Sequence, residues 1–63
     1  MRKEIDEDGT ICYFNEKNEY HREDGPAIED TNGDKEYWHN GIEYTEIKTD
    51  EEWIRFVKLM VFQ

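Results

Sequence analysis

The sequence predicts an α+β fold: an antiparallel β-meander of about six short strands, built from two 24-residue repeats, followed by one C-terminal helix. Three observations carry that prediction. Asp-Gly and Asn-Gly turn signals recur at a fixed interval. The segments between them are rich in aromatic and β-branched residues. Residues 50 to 62 contain neither glycine nor proline and sit behind a helix-capping signal.

The repeat appears when the chain is shifted by 24 positions, which lays "DGTICYFNEKNEY" (8 to 20) over "NGDKEYWHNGIEY" (32 to 44). Asp8-Gly9 falls on Asn32-Gly33, Tyr13-Phe14 on Tyr37-Trp38, and Glu19-Tyr20 on Glu43-Tyr44. The Asp8-Gly9 and Asn32-Gly33 pairs predict type I′ turns, which need positive φ at both central residues. The segment before Asp8 then pairs with residues 10 to 14, and the segment before Asn32 with 35 to 38. Second turns are expected at "NEKN" (15 to 18) and "HNG" (39 to 41), with return strands "EYHR" (19 to 22) and "IEY" (42 to 44).

Thr49 is placed to cap the helix, with Glu52 three residues on as its capping-box partner and Asp50, Glu51 and Glu52 at the positive end of the dipole. Trp53, Ile54, Val57, Met60 and Val61 recur at helical spacing, and Phe56, Leu59 and Phe62 widen the apolar surface beyond one stripe. Two readings of that width stay open. One face packs on the sheet and the rest is loosely covered, or Trp53, Phe56, Leu59, Met60 and Phe62 meet a partner protein or a second copy of the chain.

The 63 residues amount to one domain (1–63), divided into an acidic β-repeat region (1–46) and an amphipathic helix (49–62). The single Cys12 forms no internal disulfide and reads as a small apolar strand residue, so two Trp, four Tyr and three Phe must supply the core. Seventeen acids face eight bases. Three of each cancel after residue 46, so residues 1–46 carry the entire net charge of −9. Such a field repels nucleic acid and anionic membrane and favours a basic protein surface. "WIRFVKLMVF" is too short to span a bilayer, and the absence of an apolar run behind the N-terminus and of disulfides suits the cytoplasm.

"EYHREDGPAIED" (19 to 30) gathers ionisable groups around a Gly-Pro. Acid-base work would start from His21 oriented by Glu23 or Asp24, but no nucleophile or activating arrangement accompanies them. A metal would find His21, Glu23, Asp24 and His39, yet at no EF-hand or zinc-finger spacing. The expectation is therefore no catalytic residue, no metal site and no cofactor. Asp24-Gly25-Pro26 reads as turn chemistry, with His21 and Glu23 on one face if the strand stays extended.

Tyr13, Phe14, His21, Arg22, Asp24, Gly25, Pro26 and Ala27, then Gly33, Tyr37, Trp38, Asn40 and Gly41, form a pattern of aromatic pair, Asn-Gly turn, His-Arg and acid-Gly-Pro-Ala. Over residues 8 to 45 this resembles the degenerate MORN-like repeats of small phage and giant-virus proteins. The second unit departs from it where Thr45-Glu46 replaces His-Arg. The resemblance implies scaffolding and interaction surfaces and no enzyme activity. It also implies a location in the host cytoplasm.

Glu4, Asp6 and Asp8 alternate, as do Asp34 and Glu36, which spaces their Cα atoms by roughly 6.6 Å on a strand. That spacing is similar to phosphates along a nucleic-acid strand. With Glu23, Asp24, Glu29 and Asp30 they are the expected partner-binding face. The plainer reading is that these acids keep a small β-protein soluble and its edges unpaired. Two functions follow. The first is a phage-encoded acidic protein that binds and modulates or inhibits a host protein, for example a defence nuclease or transcription factor, as a nucleic-acid mimic. The second is a small structural or assembly module.

Overall fold

A computed structural model describes residues 1–61. Strands β1 (Arg2–Ile5), β2 (Ile11–Phe14), β3 (Ile28–Glu29) and β4 (Lys35–Glu36) form an antiparallel sheet in sequential order. β5 (Trp38–His39) and β6 (Ile42–Glu43) form a second, two-stranded sheet, and helix α1 (Asp50–Val61) follows them. The fold is thus α+β with a meander, as the turn signals predict. The predicted strand 35 to 38 is broken at Tyr37, whose ring turns inward to the core at 3% exposure. The predicted return strand 19 to 22 contracts to a single bridge, Phe14 to Tyr20, with the His21 amide bonded to the Tyr13 carbonyl at 3.0 Å.

The turns differ from the expected type. Asp6 pairs with Thr10, and Asp30 with Asp34, around three-residue loops that end in Gly9 (φ 93°) and Gly33 (φ 94°). Asp8 and Asn32 do not have positive φ, so neither loop is type I′. The reason lies in the side chains. Asp8 Oδ1 accepts the Thr10 amide and Asn32 Oδ1 accepts the Asp34 amide, at 3.2 and 3.1 Å, which holds a right-handed turn before the left-handed glycine. Among the described residues only Asn40-Gly41, at φ 48° and 84°, has positive φ at both central positions of a two-residue loop. The first unit uses three loop residues there, Glu16 to Asn18, with Asn18 at φ 64°. That difference of one residue shifts the return segments. Tyr20 faces Phe14, whereas Glu43, not Tyr44, faces Trp38. The 24-residue register therefore holds to the aromatic pair and slips by one beyond it.

Helix α1 begins as its sequence dictates. Thr49 Oγ1 accepts the Glu52 amide at 3.2 Å, and Glu52 Oε1 accepts the Thr49 amide at 3.1 Å and the Lys48 amide at 3.0 Å. The core is Tyr37, Trp53 and Val57, flanked by Tyr44, Ile47 and Met60. Trp53 is fully buried, with its Nε1–H donating to the Arg22 carbonyl at 2.7 Å, and its ring lies 5.6 Å from Tyr37 and 5.5 Å from Tyr44. Burying a side chain of this size contributes on the order of 3 kcal/mol. Among the described residues no helix is long and apolar enough to cross a membrane.

Candidate functional site

Residues directly opposite on antiparallel strands project to the same side, so the register sorts the side chains between two faces. Glu4, Cys12, Ile28 and Glu36 form one row across β1 to β4. The next row, Asp6, Thr10, Asp30 and Asp34, continues it through the loop bonds, with Thr10 Oγ1 donating to Asp30 Oδ1 at 3.4 Å. Five carboxylates thus share one face, and Asp8 joins them at the loop. In the other direction the same face carries an aromatic ridge. Phe14 stacks on Tyr20 at 5.1 Å, Tyr20 meets Trp38 at 5.1 Å, and Trp38 Nε1–H donates to Glu36 Oε1 at 3.1 Å. Arg2 sits at its edge, 4.8 Å over Phe14 and 2.8 Å from Glu4. The acids act on their surroundings: burial, then Asp6 and its neighbours Glu4, Asp30 and Asp8, push the Cys12 thiol up from its ordinary pKa.

The opposite face holds Ile5, Ile11, Glu29 and Lys35, and beyond them Tyr37 packs on helix α1. Of the acids expected on one face, the structure unites Glu4, Asp6, Asp8, Asp30, Asp34 and Glu36. It excludes Glu29, which lies one residue out of phase, and places Glu23 and Asp24 at the corner instead. Asp24 is bonded to Arg22 Nε at 2.8 Å, and that hydrogen bond holds its carboxyl below the usual range. On the helix, Trp53 and Met60 belong to the core rather than to a free surface, because Tyr37 and Tyr44 need a cover. Leu59 is 65% and Phe56 36% exposed, and Phe56 also touches Tyr44 and Trp53. Phe62 lies outside the described residues.

Sequence reasoning missed the aromatic ridge, although alternation from Cys12 and Glu36 puts Phe14 and Trp38 on the acidic side. It also placed His39 beside His21 at no recognisable metal-ligand spacing, so their contact was not foreseen. The structure brings the two rings within 4.6 Å of each other, edge to face. Each Nε2 lies near the same carboxylate oxygen, Glu23 Oε2, at 3.7 Å for His21 and 3.6 Å for His39. The imidazoles are mostly sequestered, at 13% and 11% side-chain exposure, while Glu23 is 55% exposed. His21 and Glu23 open onto a cleft of about 800 Å³ that Asn15, Lys17 and Asn40 also line. His21 Nδ1 accepts the Asn40 amide at 2.9 Å, which in the neutral ring leaves the proton on Nε2. Burial first, and His39 second, lower its pKa from the ordinary value. His39 Nε2 is buried with no hydrogen-bond partner. Such an orphan costs about 1–3 kcal/mol.

Comparison with protein-family models, with curated proteins and with solved structures finds no match to this chain.

Proposed function

We propose that this chain is a non-enzymatic protein-binding module of phage type, whose acidic, aromatic sheet face engages a basic surface of a host protein and modulates or inhibits it. One observation carries the reading. The face turned away from helix α1 combines Glu4, Asp6, Asp30, Asp34 and Glu36 with Phe14, Tyr20 and Trp38. Carboxylates steer and pair Lys and Arg side chains, and aromatic rings take their guanidinium and methylene groups by cation–π and apolar contact. Aromatics are also enriched in the energetic centres of protein interfaces. Two carboxylates two residues apart on a strand present charge at the pitch of phosphates, so a groove built for nucleic acid fits this face. The resemblance to degenerate MORN-like repeats, which rests on the residues themselves, supports an interaction surface and a host-cytoplasmic setting.

Affinity capture from host lysate with the intact chain tests this, using wild type beside an Asp6→Asn, Asp30→Asn, Asp34→Asn triple variant. The reading expects a partner with a basic surface, retained at about 50 mM salt, released by about 300 mM, and lost from the triple variant. A partner held equally by both chains and indifferent to salt would contradict it.

A second reading, assembly through the helix, is favoured by the exposure of Leu59 (65%) and Val61 (52%). Sedimentation of wild type against Leu59→Glu distinguishes it. Self-association abolished by the variant supports assembly, and a monomer at tens of micromolar eliminates it.

A further inference from the structure

We propose that His21, Glu23 and His39 form a binding site for a zinc-like divalent transition-metal ion that ties the first repeat unit to the second. His21, Glu23 and His39 each offer one ligand atom, and these atoms lie within 4.8 Å of one another. Both imidazole Nε2 atoms converge on the same Glu23 oxygen, at 3.7 and 3.6 Å. A tetrahedral ion with bonds of about 2.0–2.1 Å holds its ligands roughly 3.3 Å apart, so each nitrogen closes on Glu23 by tenths of an ångström and the widest separation in the set closes by about 1.5 Å at most, within reach of side-chain rotation. Two imidazoles with one carboxylate favour zinc and its first-row neighbours over magnesium or calcium, which prefer all-oxygen sets.

The sequestered, unpartnered His39 Nε2 is the strongest single pointer, because a metal bond removes the cost of leaving this atom unmet. Position supplies the rest. His21 belongs to the return segment of the first unit and His39 to β5 of the second, so only the fold makes the set. The exposed Glu23 at the cleft provides both an entry path and an open fourth position for water.

One contact opposes ligation and defines the test. Metal-ligating histidine ordinarily donates from its other ring nitrogen, whereas His21 Nδ1 accepts the Asn40 amide. Binding at Nε2 displaces the proton there. The ring stays neutral by carrying a proton on Nδ1, and the Asn40 amide turns to water. Asn40 is exposed, so this swap weakens affinity by about tenfold at most, well below what three ligands supply.

The test is titration of the full chain with zinc chloride against a chromophoric chelator, and with cobalt(II) by visible absorption. The expected results are one equivalent bound, tetrahedral cobalt bands, and loss of the native Asn40 amide resonance on loading. Glu23→Gln and His39→Gln should each weaken zinc binding by more than about tenfold, with Asp30→Asn unchanged. Glu23 is exposed, so its variant keeps the fold even if His39→Gln does not. The absence of a one-to-one complex overturns the proposal. So does a Glu23→Gln chain that binds as tightly as wild type, or an Asp30→Asn chain that loses the metal. The site lies at the corner on the helix side of the sheet, so partner binding by the acidic face and metal binding fail independently.

Discussion

The two repeat units place a tyrosine at the same position, Tyr13 and Tyr37, and cover it by different means. Over Tyr13 lies the guanidinium of Arg22, 4.1 Å from the ring centre, held by Asp24 at 2.8 Å and by the Pro26 carbonyl at 3.3 Å. The second unit has Glu46 where the first has Arg22, and no Gly-Pro corner follows. Its Tyr37 is covered instead by Trp53 of helix α1, and the tyrosine hydroxyl donates to Asp50 Oδ1 at 2.7 Å. The helix thus does for the last unit what the His-Arg-acid-Gly-Pro corner does for the first. It is also bonded to that corner, through Trp53 Nε1–H and the Arg22 carbonyl. A repeat unit cannot bury its own inner face, and an array that ends must supply a cap.

Removing the cap has the largest expected effect. Trp53→Ala should cost about 3–5 kcal/mol, against a total stability of roughly 3–9 kcal/mol for a chain of this length. Urea unfolding followed by far-ultraviolet circular dichroism should therefore show a transition that is lost or moved far below that of wild type. Retention of a cooperative urea transition near that of wild type would separate the helix from the fold.

A smaller loss is expected from Gly25→Ala. The added Cβ would stand 3.0 Å from Arg22 Cζ, so the guanidinium must shift by a few tenths of an ångström in its seat over Tyr13. The expected cost is about 1–2 kcal/mol in urea unfolding, whereas Gly33→Ala carries only the strain of its positive φ, since no atom lies within 4 Å of the added Cβ. If Gly25→Ala leaves the urea midpoint unchanged, the corner is not packed as described.

The smallest term is the Tyr37 hydroxyl. Burial, then the Asp50 carboxylate, push its pKa well above the ordinary value. A raised folded pKa means that the unfolded chain ionises first. The stability it contributes is whole below about pH 10 and is lost as the pH climbs from there toward the raised folded value. Tyr37→Phe should cost about 1 kcal/mol at neutral pH and flatten the alkaline limb of a pH–stability curve. An unchanged limb would remove Tyr37 from that role.

Much of this was legible in the sequence. Asp-Gly and Asn-Gly located the loops at Gly9 and Gly33, and Thr49 with Glu52 fixed the helix start. The loop types were not legible, because Asp-Gly suits a two-residue loop and a three-residue loop ending in left-handed glycine equally well. The one-residue slip between Tyr20 and Glu43 follows from loop length and therefore escaped the 24-residue alignment. Alternation was informative for the acidic face, since its strand acids all fall at even positions and Glu29 at an odd one. The approach of His21 and His39 was not legible, because their interval belongs to no motif and depends on how two units stack.

Native-state amide exchange of Trp53→Phe tests the central claim, the helix as cap of the second unit, most directly. This variant keeps an aromatic ring against Tyr37 and Tyr44 while removing the indole donor to the Arg22 carbonyl and part of the buried indole bulk. The account predicts reduced protection of the Arg22 and Tyr44 amides, which bond the Trp38 and Tyr37 carbonyls, with the β1–β2 ladder unaffected. Unchanged protection at Arg22 and Tyr44, or a loss spread evenly over β1 and β2, would contradict it.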